Sequence, residues 1–123
     1  MEEYKKIISF LTEFGEVLTE HIGNESLSSF GETERTDENI YDRDVSWIDE
    51  ADLVVAEVSV TSLGVGYEIG YAEAKGKKII CLYEEVEGKR LSAMLTGNKN
   101  VSVLSYKGLD DLKSKLGTFI KSL

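Results

Sequence analysis

Several residue types are scarce in this 123-residue sequence, and the scarcity of cysteine and histidine limits the kinds of site that the chain can form. The single cysteine, Cys81, excludes an intrachain disulfide and fits a reducing, cytoplasmic compartment. Cys81 lies in the apolar run IICL, so we expect a buried small hydrophobic residue and not a nucleophile. The single histidine, His21, with no Cys/His cluster, predicts no metal site. The chain has no proline, and nothing in the sequence assigns that absence a function.

Basic residues and long apolar runs are also few. The 14 Lys and Arg stand against 23 Asp and Glu, for a formal net charge of −9. Because binding to a phosphate backbone needs a basic face, the charge argues against a nucleic acid polymer as partner, and we expect none. A mononucleotide is still possible, since backbone N–H groups at a helix start hold one phosphate. No apolar run reaches the length of a membrane span, and residues 1–6 do not resemble a signal peptide, so we expect no membrane partner.

The order of the predicted elements indicates one α/β domain over residues 1–123. The helical patterns cover residues 2–14, 36–50, 64–75, 90–95 and 109–123, and the strand patterns cover residues 16–19, 53–58, 78–83 and 101–104. Residues 21–34 are rich in Gly, Ser, Asn and Glu and are predicted to be a loop. Residues 53–58 form a continuous apolar run, which predicts a central parallel strand buried on both faces. An open parallel sheet normally begins with a strand, whereas this sequence begins with a helical pattern.

The segment SLGVGYE at residues 62–68 follows that strand and opens a helix, which is where ligands bind in open α/β sheets. Gly64 and Gly66 are substrate-binding candidates because glycine lets a ligand approach the backbone closely. Ser62 is placed to cap the helix or to hold a phosphate. The spacing matches neither a Walker A loop nor a dinucleotide fingerprint, and an ordinary capped β–α turn is the alternative.

Two carboxylates are the candidates for catalysis. Glu68 lies about one turn into the predicted helix, where the helix dipole favours the ionised form that a nucleophile needs. Asp44 lies on the preceding helix, and a pair of carboxylates roughly 5 Å apart suits retaining glycosyl transfer. An acidic residue in a first turn also stabilises a helix without any catalytic role. His21 follows a predicted strand and is a further substrate-binding candidate, although a lone histidine is usually structural.

Four separated blocks resemble a known family. They are FGEVLTEH at residues 14–21, ADLVVAEV at 51–58, SLGVGYEIG at 62–70 and RLSAM at 90–94. Together they resemble the 2′-deoxynucleoside 5′-monophosphate N-glycosidases, which are kin to the nucleoside 2-deoxyribosyltransferases. The resemblance covers residues 2–104 and implies a flavodoxin-like (Rossmann-like) three-layer sandwich with a parallel sheet. The family's first strand, and the glycine- and serine-rich loop after it, have no counterpart in this sequence.

The resemblance also implies a reaction and a role for each site residue. The reaction is hydrolysis of a deoxynucleoside monophosphate to a free base and deoxyribose 5-phosphate, without a cofactor. Glu68 resembles the family's nucleophile, and Asp44 resembles the carboxylate that assists the leaving base. Ser62 resembles a phosphate-binding hydroxyl at a place where the deoxyribosyltransferases have an acidic residue, which would repel a phosphate. Ser92 resembles a second phosphate ligand that comes from the neighbouring subunit and so implies a homodimer, and Met94 is expected to help close the pocket.

Three alternatives are left open by the sequence. A nucleoside deoxyribosyltransferase would pass the same glycosyl-enzyme to a second base instead of to water. A nucleotide-binding or interaction domain without activity is favoured by the lack of the family's first strand and loop. A generic flavodoxin-like signalling domain is the weakest, because the predicted strand ends lack paired acidic residues.

Overall fold

The computed structural model describes residues 2–15 and 36–123, which divide between two compact units, Met1–Ala51 and Asp52–Leu123. The predicted strand at residues 16–19, the predicted loop at 21–34 and His21 lie outside the described residues. The single domain over residues 1–123 stays a prediction.

The first unit contains two of the predicted helices. Helix α1 spans Glu2–Leu11 and buries Ile7. It ends three residues before the predicted boundary, because the N–H groups of Glu13 and Phe14 bond to carbonyls three residues back and tighten the last turn. Helix α2 spans Asp37–Glu50 and begins where predicted, since the Thr36 side chain accepts a 3.1 Å hydrogen bond from the Asn39 N–H.

The second unit is built on a parallel three-stranded sheet, in agreement with the predicted α/β fold. Strand β1 is Leu53–Glu57, β2 is Lys78–Glu84 and β3 is Ser102–Tyr106, in the spatial order β1-β2-β3. The register pairs Val55 with Ile80 in the first ladder and Leu82 with Leu104 in the second.

The sequence predicts a central strand at residues 53–58, and that prediction stays untested because the predicted strand at residues 16–19 lies outside the described residues. Among the described strands β2 is central, and its residues 79–83 are buried on both faces. Within the described sheet β1 pairs with β2 alone, and Ala56 is its one buried residue. A continuous apolar run predicts a strand, but it does not specify how many neighbours pair with that strand.

Three helices complete the second unit. Helix α3 spans Leu63–Ala74 and contacts β1 and β2. Gly76 follows it at a φ of 73°, the left-handed conformation expected of the glycine that was predicted to end this helix. The short helix α4, Ala93–Thr96, starts later than predicted because Ser92 caps it. Helix α5, Gly108–Lys121, packs on β3. Within the described ranges every helix falls short of the length and apolarity of a membrane span.

Cys81 lies in the centre of β2 and is fully buried, which confirms the expectation that it is a small core residue. Burial raises the pKa of the Cys81 thiol to about 11, because the apolar surroundings disfavour the thiolate. The buried side chain is therefore a protonated thiol at neutral pH.

Candidate active site

The carboxyl ends of the three described strands lie at one edge of the sheet, because the strands are parallel. Glu57, Glu84 and Tyr106 are the last residues of these strands. The connection at residues 58–62, called here the β1–α3 loop, leaves this edge and leads into helix α3. Ligands of open α/β sheets bind at such an edge, so the predicted site segment lies where a site is expected.

Ser62 occupies the N-cap position of helix α3. Its Oγ accepts a 3.3 Å hydrogen bond from the Val65 N–H, and its carbonyl accepts from the Gly66 N–H at 3.1 Å. The next N–H groups, at Leu63 and Gly64, belong to the helix turn that has no intrahelical acceptor. An exposed hydroxyl beside such donors and the positive end of the helix dipole is suited to an anion.

Gly64 and Gly66 lie in the first turn of α3 and are both exposed. Neither has a positive φ, and a Cβ built at either position meets no atom within 4 Å. Neither the backbone conformation nor the packing in the described residues therefore requires glycine here. The approach of a ligand to this turn stays a prediction.

Glu68 lies on the inward stripe of α3. The half-buried Val65, the buried Ile69 and the buried Ala72 recur at helical spacing, and the half-buried Glu68 occupies the i+3 position between them. This spacing normally places an apolar residue at such a position. A carboxylate there is partly withdrawn from water and is not simply one more solvated charge, which is the environment that an activated nucleophile needs.

Asp44 lies on α2, in the unit Met1–Ala51. Both Nε and Nη2 of Arg43 lie 3.0 Å from Oδ1 of Asp44. The Arg43 side chain is only 12% exposed and that of Asp44 only 16%. The Arg43 guanidinium also lies over the Trp47 ring, 4.6 Å from its centroid. Asp44 is thus a shielded, oriented carboxylate, while its pairing with Glu68 stays a prediction.

Ser92 and Met94 lie on the connection that follows β2. The exposed Ser92 accepts a 3.1 Å hydrogen bond from the Met94 N–H through its Oγ and caps α4. Met94 is 80% exposed, and its expected part in closing a pocket stays a prediction. Both side chains are therefore available to a second subunit.

Sequence reasoning missed Glu57, at the end of β1. Its carboxylate accepts hydrogen bonds from the Ser59 N–H at 2.8 Å, the Ser59 hydroxyl at 2.7 Å and the Tyr106 hydroxyl at 2.5 Å. The available signal was an acidic residue that ends an otherwise apolar strand. No group of three or more His, Cys, Asp and Glu suited to a metal ion occurs in the part of the chain that the structure describes.

A parallel sheet with a capped helix at its carboxyl edge places the chain in the class of α/β proteins whose ligands bind at that edge. Residues 1–103 match the family model described as nucleoside 2-deoxyribosyltransferase, and the chain belongs to that family.

Individual relatives and a solved structure show the same likeness. The chain is 50% identical over 94 residues to a 5-hydroxymethyl-dUMP N-hydrolase of Danio rerio, covering 76% of this chain and 66% of that protein. It is 46% identical over 125 residues to a Nematostella vectensis protein named for 2′-deoxynucleoside 5′-phosphate N-hydrolase activity, covering 98% and 84% of the two chains. A solved structure of the CMP N-glycosidase BcmB of Clostridium botulinum superposes with a TM-score of 0.72 at 27% identity, over 96% of this chain and 88% of that one.

Proposed function

We propose that this protein hydrolyses the N-glycosidic bond of 2′-deoxynucleoside 5′-monophosphates and releases the free base and deoxyribose 5-phosphate. The observation that carries the proposal is the half-buried Glu68 on the inward stripe of α3, in the helix that Ser62 caps. The relatives support the reaction, because their names describe N-hydrolases of deoxynucleotides.

Glu68 and Asp44 divide the chemistry in this proposal. A Glu68 carboxylate oxygen attacks the anomeric carbon, the bond from that carbon to the base nitrogen breaks, and its electron pair leaves with the base. Asp44 assists departure of the base as the second carboxylate of the site, and the base takes up a proton from solvent, which the attacking water gives back in the next step. Water then attacks the anomeric carbon of the glycosyl-enzyme, which releases the sugar phosphate and restores the Glu68 carboxylate.

The 5′-phosphate is held at the start of α3 in this proposal. Ser62 offers a hydroxyl, and the first N–H groups of the helix offer donors on the positive end of its dipole. Because Ser62 is neutral, it does not repel a phosphate as the acidic residue of the deoxyribosyltransferases would. The neutral side chain therefore favours a nucleoside monophosphate over a bare nucleoside.

We further propose a cytoplasmic homodimer in which Ser92 completes the site of the neighbouring subunit and Met94 helps to close the pocket. Several large apolar side chains are exposed on segments that follow the carboxyl ends of β1 and β2: Val60 at 74%, Leu63 at 92%, Tyr67 at 57% and Met94 at 80%. Exposed apolar side chains of this size are typical of an interface with another protein. The buried, unpaired thiol of Cys81 agrees with a reducing compartment.

A direct assay tests the proposed reaction. The purified chain is incubated with each of the four deoxynucleoside 5′-monophosphates and, as matched controls, with the four nucleosides, and free base is measured by chromatography. We expect base from the monophosphates and far less from the nucleosides. Binding of the monophosphates without any release of base would contradict the enzyme and indicate an inactive nucleotide-binding domain.

Deoxyribosyl transfer is the second candidate, because the matching family model carries that name. In a transferase the glycosyl-enzyme on Glu68 reacts with an acceptor base instead of water. Addition of a different free base to the assay separates the two reactions. Formation of a new nucleotide that contains the added base identifies a transferase, and deoxyribose 5-phosphate alone identifies a hydrolase.

A further inference from the structure

The Glu57 carboxylate is almost fully engaged by donors of its own chain. Oε1 accepts from the Ser59 N–H, and Oε2 accepts from the hydroxyls of Ser59 and Tyr106. A carboxylate has about four acceptor positions, so three donors leave little capacity for a substrate. Glu57 is therefore suited to hold protein groups in place and not to act as a second nucleophile.

The donors come from two elements that are distant in sequence. Tyr106 ends β3 and is fully buried, and Glu57 ends β1, so their hydrogen bond reaches across the end of the central strand. The register places Glu57 beside Leu82 and Leu82 beside Leu104, and Tyr106 lies two residues after Leu104 on the same face of the sheet.

Hydrogen bonds between Glu57 and Ser59 fix the start of the β1–α3 loop. The Ser59 hydroxyl, which donates to Glu57, also accepts a 2.8 Å hydrogen bond from the Glu84 N–H of β2. The Ser59 carbonyl accepts from Nζ of Lys89 at 2.8 Å. Ser59 is thus bonded directly to the ends of β1 and β2 and, through Glu57, to Tyr106 at the end of β3, and Ser62 follows three residues later as the cap of α3.

We infer that Glu57 is a positioning residue that fixes the β1–α3 loop and so sets the affinity of the Ser62 end of that loop for a 5′-phosphate. This inference rests on the proposed function, because it needs Ser62 to bind the phosphate. Only two residues, Val60 and Thr61, separate Ser59 from Ser62, so a shift of Ser59 displaces the hydroxyl of Ser62 and the first N–H groups of the helix. Loss of the carboxylate weakens phosphate binding more than it slows the bond cleavage at Glu68.

Glu57→Gln is the variant that tests this inference, with Glu73→Gln as the matched control. Glu73 lies near the end of α3, and its carboxylate accepts a 2.9 Å hydrogen bond from the Asn100 side chain, away from the β1–α3 loop. Tyr106→Phe is a second variant, which removes one donor and keeps the aromatic packing. KM and kcat are measured for a monophosphate that the full chain cleaves, and inorganic phosphate is titrated while the Leu63 and Gly64 amide resonances are followed by NMR.

For Glu57→Gln we expect KM and the dissociation constant of phosphate to rise about tenfold, since charge-assisted hydrogen bonds are lost. The kcat is expected to fall by less than about threefold. Tyr106→Phe shifts the same two constants by a smaller factor, and Glu73→Gln leaves them unchanged. An unchanged KM and phosphate affinity in Glu57→Gln overturns the inference, as does a fall in kcat alone.

The two measurements also separate this inference from the proposed reaction. If the wild-type chain cleaves no monophosphate, the proposed function fails, and the phosphate titration alone decides the role of Glu57. Weaker phosphate binding in both Glu57→Gln and Tyr106→Phe then supports the inference. Failure of the wild-type chain to bind phosphate at Leu63 and Gly64 overturns it.

Discussion

The backbone N–H of Val65 donates a 3.3 Å hydrogen bond to Oγ of Ser62, so the hydroxyl proposed to bind phosphate is also the cap of α3. One side chain therefore combines a structural role with a role in binding. Any test of its phosphate contact has to preserve the cap, because loss of an N-cap costs about 1 kcal/mol in helix stability.

Ser62→Asp separates the two roles, since aspartate caps a helix as well as serine does but carries a negative charge. We expect KM for the monophosphate to rise about 100-fold or more, because two like charges at contact distance near a protein surface repel by several kcal/mol. Thermal unfolding is expected to be unchanged. Ser62→Ala is the control and should lower stability with a smaller effect on KM, and equal KM values for Ser62→Asp and wild type would contradict phosphate binding at this position.

The proposed contribution of Ser92 across a dimer interface is tested by mixing two inactive variants. Glu68→Ala and Ser92→Ala subunits are mixed, dissociated and reassociated. In a mixed dimer, one site receives both the intact Glu68 and the intact Ser92, so about a quarter of the wild-type activity is expected to return. Activity no higher than the average of the two separate variants would place Ser92 in the site of its own subunit.

Cys81 predicts a specific response to alkaline pH. Its pKa is raised from 9.0 in the unfolded reference to about 11 in the folded chain by burial. The neutral thiol therefore makes its full contribution to the free energy of unfolding below about pH 9, and this contribution is lost as the pH rises toward 11. We expect the free energy of unfolding to fall more steeply over this range in wild type than in Cys81→Ala. Parallel curves, or rapid alkylation of the folded protein at pH 8, would contradict a sealed thiol.

The Thr36 cap predicts a change in stability that is independent of the active site. Thr36→Ala removes the acceptor of the Asn39 N–H at the start of α2, and we expect a loss of about 1 kcal/mol in the free energy of unfolding, measured in urea. Thr36→Ser keeps the hydroxyl and should restore most of it. A loss of the same size in both variants would show that the methyl group of Thr36, and not its hydroxyl, stabilises the helix.

Local sequence patterns predicted most of the described elements because each pattern has a local physical cause. Thr36 begins α2 because its own side chain caps it, and Gly76 ends α3 because it adopts a positive φ. The start of α4 moved from residue 90 to Ala93 because Ser92, a weaker signal, supplies the cap. The family, the α/β fold and the buried Cys81 were also predicted and are confirmed.

Features that depend on distant residues could not be predicted in this way. The place of β1 at the edge of the described sheet depends on which strands pair, and an apolar run carries no information about pairing. The role of Glu57 depends on Tyr106, which lies 49 residues later. Asp44 and Glu68 belong to different compact units, and His21 lies outside the described residues, so their places in one site stay predictions.

The central claim is that Glu68 forms a bond to the sugar, and one comparison tests it most directly. Release of base from a deoxynucleoside 5′-monophosphate is measured for wild type, for Glu68→Ala and for Glu73→Ala, a control on the same helix. We predict that Glu68→Ala keeps its fold and phosphate binding but loses turnover by at least about 10³-fold, while Glu73→Ala stays near wild type. Turnover by a folded Glu68→Ala protein within tenfold of wild type would contradict the account.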